Sequence, residues 1–156
     1  MNLTTLFEFL ILGIIADASL VALVLLVNAA FPNLITRARA NVERMPVRSF
    51  IVGFINFLFF GLIAAALTSA APDALKMLGI TLATVLLGFL ALGIAALARL
   101  IGERIDAQHD AIRQLIVGVV VIAVAALVPF VGWFLVPLVG LMSGFGAVIV
   151  AMIWRK

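Results

Sequence analysis

The sequence is organised by residues 114–154, which read QLIVGVVVIAVAALVPFVGWFLVPLVGLMSGFGAVIVAMIW. These 41 residues carry no charge, whereas Arg113 stands before them and Arg155 and Lys156 follow. A helix rises about 1.5 Å per residue, so this tract would extend roughly 60 Å, twice the roughly 30 Å hydrocarbon core of a bilayer. The tract is therefore predicted to reverse at residues 129–133, PFVGW, which combine a helix breaker, a residue free to take positive φ and an interfacial aromatic.

The composition predicts an integral membrane protein. Of the 156 residues 67% are hydrophobic and 11% are charged, whereas charged residues make up about 25% of soluble domains. We expect one all-α membrane domain over residues 1–156, with no water-soluble domain. The amino terminus has no basic residue ahead of its apolar run, which argues against a cleaved signal peptide. No cysteine is present, and the basic residues form no stripe for nucleic acid.

The hydrophobic pattern predicts about five transmembrane helices. A short basic amphipathic helix at about 34–45 is expected to lie in the membrane interface between the first two. The fourth segment is short for a full crossing, so an alternative is four spans with a re-entrant hairpin. The five predicted spans are about 3–31, 50–71, 75–97, 112–128 and 133–154.

The basic residues predict the orientation. In the five-span arrangement Lys76 stands alone on one side, and the other nine of the ten Lys and Arg residues share the opposite side. Such an excess is typical of cytoplasmic loops. We therefore expect the amino terminus outside and the carboxyl terminus in the cytoplasm.

Two short segments hint at internal repetition. Residues 48–53, RSFIVG, and residues 113–118, RQLIVG, match at four of six positions. Each opens a segment predicted to enter from the cytoplasmic side, so the two hairpins could have arisen by duplication.

A resemblance to a known module rests on glycine and proline punctuation. The LVPFVGW turn at 127–133, the glycines within 140–147, and the RSF and GER triplets at 48–50 and 102–104 carry it. Over residues 48–153 the chain resembles a bacterial multi-pass membrane module of unknown function, associated with bactofilin-like, polymer-forming cytoskeletal proteins. The resemblance implies a bacterial cytoplasmic (inner) membrane and transfers no catalytic residue. The soluble bactofilin part is absent from this sequence.

Asp17 is the main candidate for an intramembrane polar site. A carboxylate near mid-membrane costs roughly 2.5–3.5 kcal/mol on insertion scales, so such residues usually face the bundle interior. We expect a protonated Asp17 that donates a hydrogen bond inside the bundle, with a contact to a partner subunit or a proton path as alternatives. Thr84 and Ser143 are predicted at similar depth, and Asn56 nearer the cytoplasmic edge.

Two further sets of residues are candidates for contacts. The small residues Gly140, Gly144 and Ala147 allow close helix packing, either within the chain or between copies. Four arginines in one loop either fix the topology or bind anionic lipid headgroups or a partner. They are Arg37, Arg39, Arg44 and Arg48.

No pattern points to catalysis or to a metal. The sequence contains no nucleophile with a nearby base, no HExxH motif and no phosphate-binding loop. His109 with Asp106 and Asp110 is interpreted as a solvated loop, because a metal site needs three or four converging ligands. We expect no enzymatic activity, metal or cofactor.

These patterns favour a scaffold or accessory subunit of a membrane-associated assembly. Its partners would be membrane lipids together with another protein or further copies of the chain. A small transporter or channel with Asp17 on its path is the alternative, as is binding of a lipid or hydrophobic cofactor between helices.

Overall fold

In this computed structural model, prolines begin two of the helices and an ion pair lies near the end of a third. The structure describes residues 3–70, 72–128, 132 and 138–153. Its regular elements over these residues are six α-helices. They are α1 (Leu3–Ala30), α2 (Pro32–Arg44), α3 (Pro46–Ala70), α4 (Asp73–Ile105), α5 (Ala111–Leu127) and α6 (Met142–Ile153).

The breaks between the first three helices follow from proline. Pro32 and Pro46 are the first residues of α2 and α3, positions where the missing N–H costs no helical hydrogen bond. The preceding helix closes normally in each case, because Phe31 and Met45 donate their N–H groups to the carbonyls of Val27 and Asn41. The predicted helix at 34–45 therefore exists and begins two residues earlier.

Helix α4 extends beyond the third span predicted at 75–97. Helix α4 has 33 residues and continues through the polar segment to Ile105. Arg99 and Glu103 pair one turn apart at 3.1 Å, so the charged end of α4 retains helical support. At about 1.5 Å per residue, α4 is roughly 50 Å long.

The centre of the bundle is built on glycine contacts between α3, α4 and α6. A Cβ atom added to Gly53 would collide with the carbonyl of Met142, and one added to Gly146 with that of Ser49. On the other side of α6, Gly144 lies against Gly93 of α4. The backbones touch there, so any larger residue would force the helices apart.

These contacts decide how the predicted small-residue face is used. Gly144 and Ala147 are buried inside the chain, so the alternative that they form an oligomer contact is wrong. Gly140 is half-buried in a π-helical turn at 138–141 that precedes α6.

The repeated motif has a structural counterpart in the α4–α5 hairpin. Gly118 lies against the carbonyl of Ala98, and Gly102 lies against that of Gln114. Gly118 and Gln114 occupy the motif positions of Gly53 and Ser49, which face α6 in the same way. The two copies thus use the same residues for close helix contact.

The long uncharged tract is interrupted, as predicted. Helix α5 ends at Leu127 and α6 begins at Met142, so the tract is not one continuous helix. Pro129 and Trp133 lie outside the described residues. The sequence predicted that Gly132 serves the reversal by taking a positive φ, but its φ is not positive. A Cβ atom added to Gly132 would collide with the carbonyl of Ala126.

The apolar face of α2 is covered by protein. Ile35, Ala38 and Val42 are 0%, 0% and 7% exposed and belong to the core that α2 shares with α4 and α6. This face therefore packs on the protein and is not available to rest on lipid. The apolar spacing of α2 indicated an amphipathic helix but not what would cover it.

Three helices are long and apolar enough to cross a membrane: α1, α3 and α4. Helices α5 and α6, with 17 and 12 residues, are shorter. The described part of the chain is therefore helical throughout its regular structure, and its several candidate spans indicate a membrane protein.

Candidate functional site

Residues 11–19 of α1 form the longest run of exposed residues in the described chain. Each of residues 11–19 is exposed. Nine successive residues cover the full circumference of a helix, so this stretch has no packed face. Packing on α4 and α5 begins at half-buried Leu20 and reaches Val24, which is 1% exposed.

Asp17 lies on this exposed stretch and not inside the bundle. Its side chain makes no hydrogen bond or ion pair with a residue that the structure describes. Its neighbour Ser19 donates its hydroxyl to the carbonyl of Ile15 at 2.8 Å. The expectation that Asp17 donates a hydrogen bond within the bundle is therefore wrong for the described residues.

The other predicted intramembrane polar residues are not brought together. Thr84 is exposed and donates to the carbonyl of Ile80 at 2.9 Å. Ser143 is 5% exposed within the glycine contacts of α6. Asn56 is half-buried and donates from Nδ2 to the carbonyl of Val52 at 2.8 Å. These groups bond within their own helices or are buried separately, and they form no common site with Asp17.

An ion-pair cluster joins α2 to the carboxyl-terminal part of α4. The two carboxylate oxygens of Glu103 lie 2.6 Å from Nε of Arg39 and 3.1 Å from Nε of Arg99. Arg39 also forms an ion pair with Glu43 at 3.0 Å. The short Arg39–Glu103 contact lies off the Nε–H axis, so it is an ion pair without an aligned hydrogen bond.

Two further contacts extend this cluster along both helices. Arg99 donates to the hydroxyl of Thr36 at 2.9 Å, and Arg104 lies 3.9 Å from Glu43. Because these contacts advance in the same direction on α2 and α4, the two helices run side by side and parallel. The cluster thus holds α2 against α4 at the same end as most of the basic residues.

The four predicted arginines have different surroundings. Arg39 is committed to the cluster, and Arg48 lies 3.8 Å from the sulfur of Met45. Arg37 and Arg44 are exposed and have no ion pair or hydrogen bond to the described part of the chain. Only these two present guanidinium groups that are not already paired within that part.

Arg37 lines an open cleft of about 800 Å³. The cleft lies where α1 turns into α2 and where the last turns of α6 approach. Its wall combines the Arg37 guanidinium and the Asn33 amide with the apolar side chains of Phe31, Leu34 and Met152. A wall of this kind suits a ligand that is anionic at one end and apolar at the other.

Two apolar grooves border this cleft. One, of about 360 Å³ between α3, α4 and α6, shares Met152 with the cleft, and Asn56 is the polar residue among its described lining residues. The other, of about 310 Å³ between α1 and α4, shares Phe31 with the cleft. The two grooves also share the lining residues Val85 and Phe89.

The His109 loop is held by polar contacts. Asp106 accepts a short contact from His109 Nδ1 and pairs with Arg113 at 3.0 Å. Gln114 donates to the carbonyls of Asp106 and His109 at 3.1 and 2.9 Å. Within the described chain, no three His, Asp or Glu side chains converge as metal ligands would. The carboxylate of Asp106 is therefore occupied in shaping the α4–α5 turn.

Sequence reasoning missed two polar residues. Glu103 is the hub of the cluster, and its spacing from Arg99 predicts the pair within α4 but not the one with α2. Asn28 has a buried Oδ1 with no hydrogen-bond partner among the described residues. Nothing in the local sequence signals that burial, because it depends on which helix covers that face of α1.

Comparisons with protein-family models, with curated proteins and with solved structures find no match.

Proposed function

We propose that this protein is a non-enzymatic membrane subunit that recruits another membrane protein through residues 11–19 of α1. The observation that carries the proposal is that every residue from 11 to 19 is exposed and that the Asp17 carboxyl has no partner among the described residues.

The contrast with the rest of the chain supports this site. Close helix contact in membranes depends on small residues, and Gly53, Gly93, Gly144 and Gly146 are already used inside the chain. Residues 11–19 of α1 make no such close contact within the described chain. A polar carboxyl on a lipid-facing helix is unfavourable, so covering it with a partner helix lowers the free energy.

The partner is a transmembrane helix of a different protein that carries a basic residue facing Asp17. A second copy of this chain would bring a second carboxylate to the same place. Its cations also lie elsewhere: Lys76 pairs with Asp73 at 2.9 Å, and the described arginines belong to α2, α3, α4 and α5. Charge complementarity therefore favours a heterologous partner.

A model peptide tests this assignment. A transmembrane peptide of leucines with one central lysine is mixed with the purified protein in lipid bilayers, and association is measured by energy transfer. Wild type is expected to bind it about tenfold more tightly than Asp17→Asn does, because the variant cannot form the ion pair.

Two controls make the result specific. Ser19→Ala changes another exposed polar residue of the same stretch and should bind like wild type. A peptide without the lysine should bind neither protein. Equal binding of the lysine peptide to wild type and Asp17→Asn would contradict the proposal, as would Asp17-dependent self-association without peptide binding.

The proposed arrangement in the membrane has α1, α3 and α4 as full crossings. Helices α5 and α6 extend only roughly 26 and 18 Å, which favours the re-entrant hairpin over five crossings. We place the cluster end of α4 in the cytoplasm and the Lys76 end outside, following the excess of basic residues. The proposed location is the bacterial cytoplasmic membrane.

Transport is the second candidate and has less support. It required Asp17 beside a path through the protein. Asp17 is exposed and lines none of the three spaces described above.

A further inference from the structure

We infer that the cleft at the α1–α2 corner binds an anionic phospholipid, with its phosphate on Arg37 and its acyl chains in the adjoining apolar grooves. This site is separate from the α1 docking surface. The chemistry recognised is a phosphate joined to hydrocarbon, and the bilayer is its source.

Arg37 provides the cationic group that would hold the phosphate. The basic side chains Arg39, Arg99, Arg104 and Arg113 each have an acidic partner within 4 Å. Arg37 has none in the described structure and is exposed at the cleft. A guanidinium donates several hydrogen bonds in one plane and matches the oxygens of a phosphate.

The two apolar grooves share lining residues with the cleft. Met152 lines both the cleft and the groove between α3, α4 and α6, and Phe31 links the cleft to the groove between α1 and α4. The described residues of their walls are apolar apart from Asn56. A free phosphate would leave this hydrocarbon surface uncovered, whereas a phospholipid covers it with its chains.

Burial and length place the cleft where such a lipid can reach it. The cleft opens at the end of α1, a helix long and apolar enough to cross a membrane. Lipid phosphates lie just outside the hydrocarbon core, and a basic side chain at that level gains from anionic headgroups. Arg37 is seven residues beyond the last residue of α1 and is suitably placed for this contact.

The experiment titrates delipidated protein in a neutral detergent with phosphatidylglycerol and follows binding by the rise in melting temperature. Wild type is expected to bind this lipid, and Arg37→Gln to bind it about fivefold more weakly. Arg44→Gln is the matched control, because Arg44 is also exposed and unpaired in the described part of α2 but lies outside the cleft. It should keep wild-type affinity.

A second variant tests the apolar side of the site. Met152 is 52% exposed, so Met152→Glu should fold while placing a carboxylate where the cleft and a groove meet. It is expected to weaken lipid binding at least as much as Arg37→Gln does. Asp17→Asn should leave lipid binding unchanged, which separates this result from the peptide test.

Several results would overturn the inference. Equal losses in Arg37→Gln and Arg44→Gln would mean diffuse attraction to charge. Equal binding of phosphatidylcholine would mean that headgroup charge is not read. Stabilisation by inorganic phosphate alone, at the same affinity as the lipid, would mean that the cleft binds a free anion.

Discussion

The centre of the bundle and residues 11–19 of α1 differ in how closely they pack against the rest of the chain. In the centre, Gly53, Gly93, Gly144 and Gly146 bring three helix backbones into contact. In α1, residues 11–19 touch no other part of the described bundle closely enough to be buried. The difference shows which surfaces the chain uses for its own fold and which one it leaves for another molecule.

The physical basis of this difference is the solvent. Lipid tails are as apolar as leucine, so burying leucine against another helix gains little in a membrane, and close packing and polar contacts decide association. The centre has small residues that permit close packing. Residues 11–19 of α1 present a polar group, Asp17, and bulky side chains such as Ile14 and Ile15, which are 61% and 57% exposed.

The largest expected effect comes from adding one methyl group at the centre. Gly53→Ala should unfold the protein or lower its stability by more than about 3 kcal/mol, because the new Cβ would collide with the carbonyl of Met142. Thermal unfolding in detergent measures the change.

Gly61→Ala is the control for that substitution. It lies in the same helix with no atom within 4 Å of an added Cβ, and it should leave stability equal or raise it by up to about 1 kcal/mol. If Gly53→Ala melted like Gly61→Ala, the close contact of α3 with α6 would not be what holds the centre together.

A smaller effect is expected from the ion-pair cluster that adds α2 to the centre. Glu103→Gln removes the carboxylate shared by Arg39 and Arg99, and we expect a loss of about 1–2 kcal/mol at low salt. The loss should shrink as salt is raised, which unfolding at two ionic strengths would reveal.

Asp73→Asn is the matched control at the other end of α4. It removes the partner of Lys76, but the Asp73 side chain is 95% exposed, so stability should change little. Equal losses in the two variants would show that the cluster contributes no more than an exposed pair.

The smallest effect sharpens the boundary within α1. Val24→Ala should cost about 1 kcal/mol, because Val24 is 1% exposed against the bundle. Ile15→Ala, nine residues earlier, should leave the melting temperature of the isolated protein unchanged. A comparable loss from Ile15→Ala would mean that residues 11–19 belong to the folded core, and a partner would then have no surface to bind on this stretch.

Local patterns predicted the helices better than their ends. The apolar runs identified segments that correspond to all six helices, but the predicted starts at about 34 and 50 fall two and four residues after Pro32 and Pro46, where α2 and α3 begin. The polar segment after residue 97 suggested a loop, yet α4 continues to Ile105 because its charges pair with one another and with α2. The pairing partner lies about 60 residues away in the chain, so no local window contains it.

The candidate site shows the same limit. Asp17 was identified as the informative residue because a carboxylate in an apolar helix is costly wherever it points. Its direction was predicted wrongly, since burial depends on which side of α1 other helices cover. Arg37 and Arg39 differ by two positions, yet one lines a cleft and the other holds Glu103.

The sequence by itself determined the class of protein, the helical segments and the break in the uncharged tract, because hydrophobic length and proline act locally. Only the tertiary structure decided that the small-residue face is used inside the chain, that α2 is covered by protein and that Asp17 is left exposed. These outcomes depend on which helices meet, and contacts between residues far apart in sequence set that choice.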